Sequence, residues 1–233
     1  MRRVKGFTLI ELLVVVAIIG GLIAIIVPSL SKARQRAKSI QCAANLRSMV
    51  QILDAYMDSN GGQQKLPEQF LIRGIVPDKT LICPQTRLVP FPDATPVHPG
   101  SAFITWANPV PPTGVNRYGS YGSNIFYVQP FIGPGWYNRM TPLNEGLVPA
   151  FADAAIQQIS ADESNCIPID WTKAVQLGAV AMRRHGAGVN VGFADGHVEG
   201  VKVEDLWTLR WKTNWKRTDP YPVPASWNGL NPS

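Results

Sequence analysis

Residues 7–27, FTLIELLVVVAIIGGLIAIIV, form an apolar run with a single charge, Glu11. At about 1.5 Å per residue, a helix of this length spans a hydrocarbon core of about 30 Å. A cleaved secretory signal has a shorter apolar core followed by a small-x-small site, and neither fits here. The pattern then changes. Beyond Ser31, apolar or small residues fall at Ala33, Ala37, Ile40, Ala43, Leu46, Val50, Leu53 and Met57. Steps of three and four mark one face of an amphipathic helix. Pro28 is expected to kink the helix at the bilayer edge, and Asn60-Gly61-Gly62 to stop it. The spacing therefore predicts one helix of about 50 residues, half in membrane and half packed on a head.

Twelve prolines between Pro84 and Pro149 exclude long helices from the following region, which should consist of loops and short strands. The run Tyr118-Gly119-Ser120-Tyr121-Gly122-Ser123-Asn124 reads as a turn segment. Val189, Val191 and Phe193 alternate with Asn190, Gly192 and Ala194, a period of two. Asp195-Gly196 is a two-residue type I′ turn signal, so a β-hairpin is expected near 188–203. Trp207, Trp211 and Trp215 recur every four residues in a short helical segment, Val203–Trp215, a stripe that favours core packing over a ligand platform. The fold class is α+β: a long N-terminal helix packed on a small antiparallel sheet with long loops.

Charge sharpens this division. The chain of 233 residues carries a formal +6. Residues 1–6 hold +3, residues 7–53 hold +4, and residues 54–233 hold −1. A nucleic-acid-binding head would carry clustered Lys and Arg of its own, so no nucleic-acid partner is expected. Lys32, Arg34, Arg36 and Lys38 can meet lipid phosphates, acidic groups of neighbouring chains or solvent. Glu11 is costly at membrane depth, by at least about 2.5 kcal/mol, and needs a partner there or a position near the headgroups. Lys and Arg flank both ends of the apolar run, so charge alone leaves its orientation undecided.

The segment Lys5-Gly6-Phe7-Thr8-Leu9-Ile10-Glu11 resembles the processing site of type IV prepilins and type II secretion pseudopilins. The resemblance implies a cytoplasmic leader, Met1–Gly6, and cleavage after Gly6. It also implies N-methylation of Phe7 and an assembly role for Glu11 as the fifth mature residue. Its domains would be 1–6 leader, 7–27 membrane and assembly helix, 28–59 amphipathic continuation and 60–233 pilin-like head. The implied product is a structural filament subunit, major or minor, in the inner membrane with its head outside, then in a periplasmic or surface filament. The implied partners are a prepilin peptidase and N-methyltransferase, other pilin-like subunits, an inner-membrane assembly platform and membrane lipid. The alternatives are a minor pilin whose head binds a surface, an export substrate or DNA, and a membrane-tethered hydrolase.

Ile82-Cys83-Pro84, the 118–124 run and a His-x9-Asp-Gly signature, His185 followed by Asp195-Gly196, resemble a subgroup of pilin-like proteins. His185 either hydrogen-bonds a loop and fixes the hairpin, or joins Asp195 or His197 at a metal. A calcium site needs several carboxylates together, which Asp195 alone does not supply. Three cysteines, Cys42, Cys83 and Cys166, allow one disulfide, and the spacing does not say which pair forms it. There is no C-x-x-C, Walker A loop, G-x-S-x-G or H-E-x-x-H. No catalytic residue, metal site or cofactor is expected.

Overall fold

The computed structural model describes residues 9–59, 74–89, 105–110, 115–128, 137, 145–161, 180, 184–185, 188–216 and 219. Met1–Gly6, Phe7, Asn60-Gly61-Gly62 and Cys166 lie outside the described residues. The chain divides into two compact units, Met1–Lys38 and Ser39–Ser233. One helix, α1 (Leu9–Ser59), contributes to both.

In the first unit, every residue from Leu9 to Lys38 is exposed. The helix continues through Pro28, whose ring nitrogen cannot donate to the preceding turn. Next to it, Ser29 Oγ donates to the Ile26 carbonyl at 2.8 Å. Among the described residues, α1 is the one helix long and apolar enough to cross a membrane.

In the second unit, α1 buries Cys42, Leu46, Met49, Val50, Leu53 and Met57. Leu46, Val50, Leu53 and Met57 were expected on this face. Ile40 was too, but it is 70% exposed. It lies two residues before Cys42, about 200° around the helix axis. The face packs on Val76, Leu81, Tyr121, Phe151 and Ala194, forming one apolar cluster.

The sheet has five strands in the order β5-β3-β4-β6-β7, comprising β3 (Tyr121–Asn124), β4 (Pro149–Asp153), β5 (Gln158–Ile159), β6 (Gly188–Phe193) and β7 (Val198–Lys202). A separate antiparallel hairpin joins β1 (Trp106–Val110) and β2 (Val115–Gly119). The sheet is mixed rather than purely antiparallel: β5 runs parallel to β3, with Ser123 opposite Gln158. The cause is a short connection. After β4 the chain turns around the start of β3, where Ala154 N–H donates to Ser120 C=O, and then runs along it.

β6 is an interior strand between β4 and β7, buried on both faces from Val189 to Phe193. Val189, Val191 and Phe193 enter a second apolar cluster with Ile159, Leu206, Trp207 and Trp211. On the other face, a Cβ on Gly192 would come within 3.1 Å of Val50, so its lack of a side chain lets α1 approach the strand. The alternation is as expected, but it separates two cores rather than core from solvent.

Three local expectations are corrected. The 118–124 run is the end of β2 and the whole of β3 with a bend at Ser120 between them, buried from Gly119 onward, and its glycines admit close neighbours. A Cβ on Gly119 would meet the Trp106 ring at 2.1 Å, and one on Gly122 would meet the Ile156 carbonyl at 2.7 Å. The β6–β7 turn is not a two-residue type I′ turn. Gly196 N–H donates to Phe193 C=O, and Phe193 N–H to His197 C=O. Ala194 and Asp195 are therefore central, and Gly196 takes the left-handed position, φ 88°, of a three-residue loop. The tryptophan segment is a short 3-10 helix, Val203–Thr208, not a helix to Trp215. Trp211 and Trp215 are instead held by indole N–H bonds to the carbonyls of Leu206 and Trp207. Trp207 and Trp211 are fully buried, so the stripe is core packing.

Candidate functional site

Two regions concentrate chemistry. The first is the N-terminal part of α1. Glu11 stands in its first turn, within the exposed apolar run from Leu9 to Val27. Lys32, Arg34, Arg36 and Lys38 follow on exposed helix. Gly6 and Phe7, the expected cleavage and methylation positions, lie outside the described residues. An exposed helix this apolar has to be covered by lipid or by other apolar chains, because water is a poor solvent for it.

The second region is a buried ionic cluster in the head. It starts from Asp153, at the end of β4 in the apolar stretch Phe151-Ala152-Asp153-Ala154. Arg184 Nη1 lies 3.3 Å from Asp153 Oδ1, and both side chains are 0% exposed. The guanidinium also donates to the carbonyls of Ser120 and Ala154. Asp153 Oδ2 accepts the Asn190 N–H at 2.9 Å and lies 3.3 Å from His185 Nε2. Burial lowers the pKa of Arg184, while Asp153 and Tyr121 oppose that shift. Burial, then Asp153, pushes the Tyr121 phenol above its ordinary range.

Cys42 on α1 and Cys83 form a disulfide with Cα atoms 5.2 Å apart. This identifies the pair that the sequence left open. His185 Nε2 lies 3.5 Å from Cys83 Sγ. Asn45, one turn along α1 from Cys42, donates to the Ile82 carbonyl and to the Tyr121 hydroxyl. Helix, disulfide loop and sheet thus meet around His185.

The two ends of the His-x9-Asp-Gly signature stand apart. His185 precedes β6 and Asp195-Gly196 follows it, so the strand separates them by about 16 Å at 3.3 Å per residue. Asp195 closes the hairpin. Its Oδ1 accepts the His197 N–H at 3.1 Å and lies 2.5 Å from His197 Nδ1. The His197 ring stacks on Phe193 at 4.2 Å. Partial burial raises the Asp195 carboxyl pKa, but the bonds and charge from His197 outweigh this and hold it below its ordinary value.

Sequence reasoning missed Asp153, Arg184 and Asn124. Asn124 is buried, donating to the Pro149 and Trp211 carbonyls and accepting the Phe126 N–H. The available signal was a lone acid or amide inside an apolar strand, since buried polar groups need partners.

Comparison with known proteins bears on the first region. The model of the prokaryotic N-terminal methylation motif matches residues 1–27. The type IV wide pilus major component PilA4 of Thermus thermophilus is 47% identical over 60 residues. That alignment covers 26% of this chain and 46% of the relative, so the chain spans about half the length of the curated relative it matches. No solved structure shows a significant match.

Proposed function

We propose that the protein is a type IV pilin-like subunit of a pilus or secretion-pseudopilus filament, a reading supported by the likeness of its N-terminal segment to the methylation-motif model and to PilA4. A prepilin peptidase cleaves after Gly6, and the new N-terminal Phe7 is methylated. The observation that carries this reading is the match over residues 1–27, which ends where the exposed apolar run of α1 ends. Before assembly, lipid covers that surface, with α1 spanning the inner membrane and the head outside. In the filament, the apolar helices of other subunits replace lipid.

Cleavage removes Arg2, Arg3 and Lys5 and lowers the chain's formal charge from +6 to +3. It also frees the α-amino group of Phe7. In an apolar filament core, the carboxylate of Glu11 needs a counter-charge. The Phe7 amine of an adjacent subunit supplies it and sets the register between neighbours. The head, near neutral, is carried on the filament as a structural module. Glu11→Ala should be processed and methylated normally but absent from sheared filaments. Incorporation at the wild-type level would refute the role given to Glu11.

A further inference from the structure

The ionic cluster of the head contains a set of metal donors that no local motif announces. Cys42, Cys83 and His185 come from α1, from the segment after the helical turn Asp78–Leu81, and from the entry to β6, yet their donor atoms all lie within 4.8 Å of one another. Asp153 Oδ2 adds a fourth donor beside His185. We propose that in the dithiol state this cluster binds one zinc-class cation through Cys42 Sγ, Cys83 Sγ, His185 Nε2 and Asp153 Oδ2, and that the disulfide state does not.

The geometry is close to what such an ion needs. With Zn–S of about 2.3 Å and Zn–N and Zn–O of about 2.0 Å, a tetrahedral site has S···N edges of about 3.5 Å and N···O edges of about 3.3 Å. Cys83 Sγ to His185 Nε2 is 3.5 Å, and His185 Nε2 to Asp153 Oδ2 is 3.3 Å. Two of the edges are therefore already in place. Two further changes complete the site: the two sulfurs part to about 3.8 Å once their bond is broken, and the Asp153 carboxylate, which lies outside the 4.8 Å group of Cys42, Cys83 and His185, closes on the sulfurs. His185 presents its metal-binding atom toward the cluster: its contacts among the described residues run through Nε2, while Nδ1 is buried without a hydrogen-bond partner. The surroundings are dry. Cys42, Cys83 and Asp153 are fully buried, and the His185 side chain is 3% exposed. Thiolate and imidazole donors select zinc-class ions over calcium or magnesium.

Charge balance favours the exchange. In the disulfide state the Arg184 cation offsets the Asp153 carboxylate. Two thiolates and one divalent cation add no net charge, so the buried site is neutral in both states. Reduction by a thiol or phosphine breaks the S–S bond with two electrons and two protons and gives two thiols. Metal uptake releases both thiol protons as the two metal–sulfur bonds form. In the reverse direction, a disulfide-class oxidant takes the two electrons, the S–S bond forms and the cation leaves. The newly made chain begins as the dithiol, so the cation would pin α1 to the Cys83 loop before oxidation makes that link covalent.

The test uses the full chain in detergent with Cys166→Ser, reduced by a phosphine under argon and titrated with Co²⁺. The expected result is one cobalt per chain, with a thiolate charge-transfer band and tetrahedral d–d bands that Zn²⁺ abolishes. The oxidised chain should show none. His185→Ala and the more conservative His185→Gln should each weaken binding by at least about 10-fold. Absence of the bands in the reduced chain would overturn the proposal. So would affinity and spectrum unchanged in both His185 variants, which would mean that two loose thiols bind cobalt without the folded site.

Discussion

Arg184 and Asp153 form an ion pair in the head with both side chains wholly removed from solvent, Nη1 to Oδ1 3.3 Å. Their environment supplies the remaining partners: two carbonyls for the guanidinium, and the Asn190 N–H and His185 for the carboxylate. Such a pair is dangerous to break, because the partner left behind is a desolvated charge. Arg184→Met is expected to destabilise the head by about 3–5 kcal/mol. Asp78→Ala breaks the outer pair with Arg117, where Asp78 is 77% exposed, and should cost less than about 1 kcal/mol. Urea unfolding of the full chain in detergent, followed by tryptophan fluorescence, measures both. Equal costs would show that the buried cluster does not hold the head together.

Two strand glycines, Gly119 in β2 and Gly200 in β7, make a sharper packing prediction. A methyl group on Gly119 would overlap the Trp106 ring, whose indole N–H is anchored on the Tyr121 carbonyl. Gly119→Ala should therefore destabilise the head by about 1–3 kcal/mol through overpacking. A Cβ on Gly200 meets nothing within 4 Å, so Gly200→Ala should fall within about 0.5 kcal/mol of wild type. The same unfolding measurement separates them. A neutral Gly119→Ala would contradict the seat described for Trp106.

The hairpin closure predicts an acid-dependent effect. Asp195 has its pKa depressed in the folded chain, mainly by His197 acting against partial burial. A depressed carboxyl contributes stability that is fully present above its unfolded value, about 3.9, and is lost as pH falls through the folded value. The gap in melting temperature between wild type and Asp195→Asn should thus be larger at about pH 5 than at about pH 2.5. A gap that stays constant or widens on acidification would show that the Asp195–His197 bond contributes nothing ionic. The carboxylate is partly exposed, so the effect should be small and screened by salt.

Local periodicity made much of this fold legible. Leu46, Val50, Leu53 and Met57 declared the packed face of α1, and Val189, Val191 and Phe193 declared β6. The failures came from contacts that a periodicity pattern does not encode, some near in sequence and some far. Gly119 and Gly122 looked like turn residues, but Trp106 and Ile156 fill the space above them. The four-residue tryptophan spacing looked helical, but Trp211 and Trp215 found carbonyl partners outside an α-helix. Asp153 and Arg184 were not singled out, Cys42 and Cys83 read as two of three cysteines with their pairing open, and His185 as one end of a signature. Only the assembled sheet and helix bring them together, so no spacing rule could have shown the cluster. The N-terminal motif is the opposite case. It is contiguous, and its apolar pattern, its one acid and its leader charges are all visible in a single short stretch.

The most direct test of the central reading is intact and N-terminal peptide mass spectrometry of the chain recovered from membranes and filaments of a producing cell. The account predicts a chain that begins at Phe7 and carries one added methyl group on its α-amino nitrogen, with Met1–Gly6 gone. A mature chain that retains Met1–Gly6, or one that starts at any other residue, would contradict it.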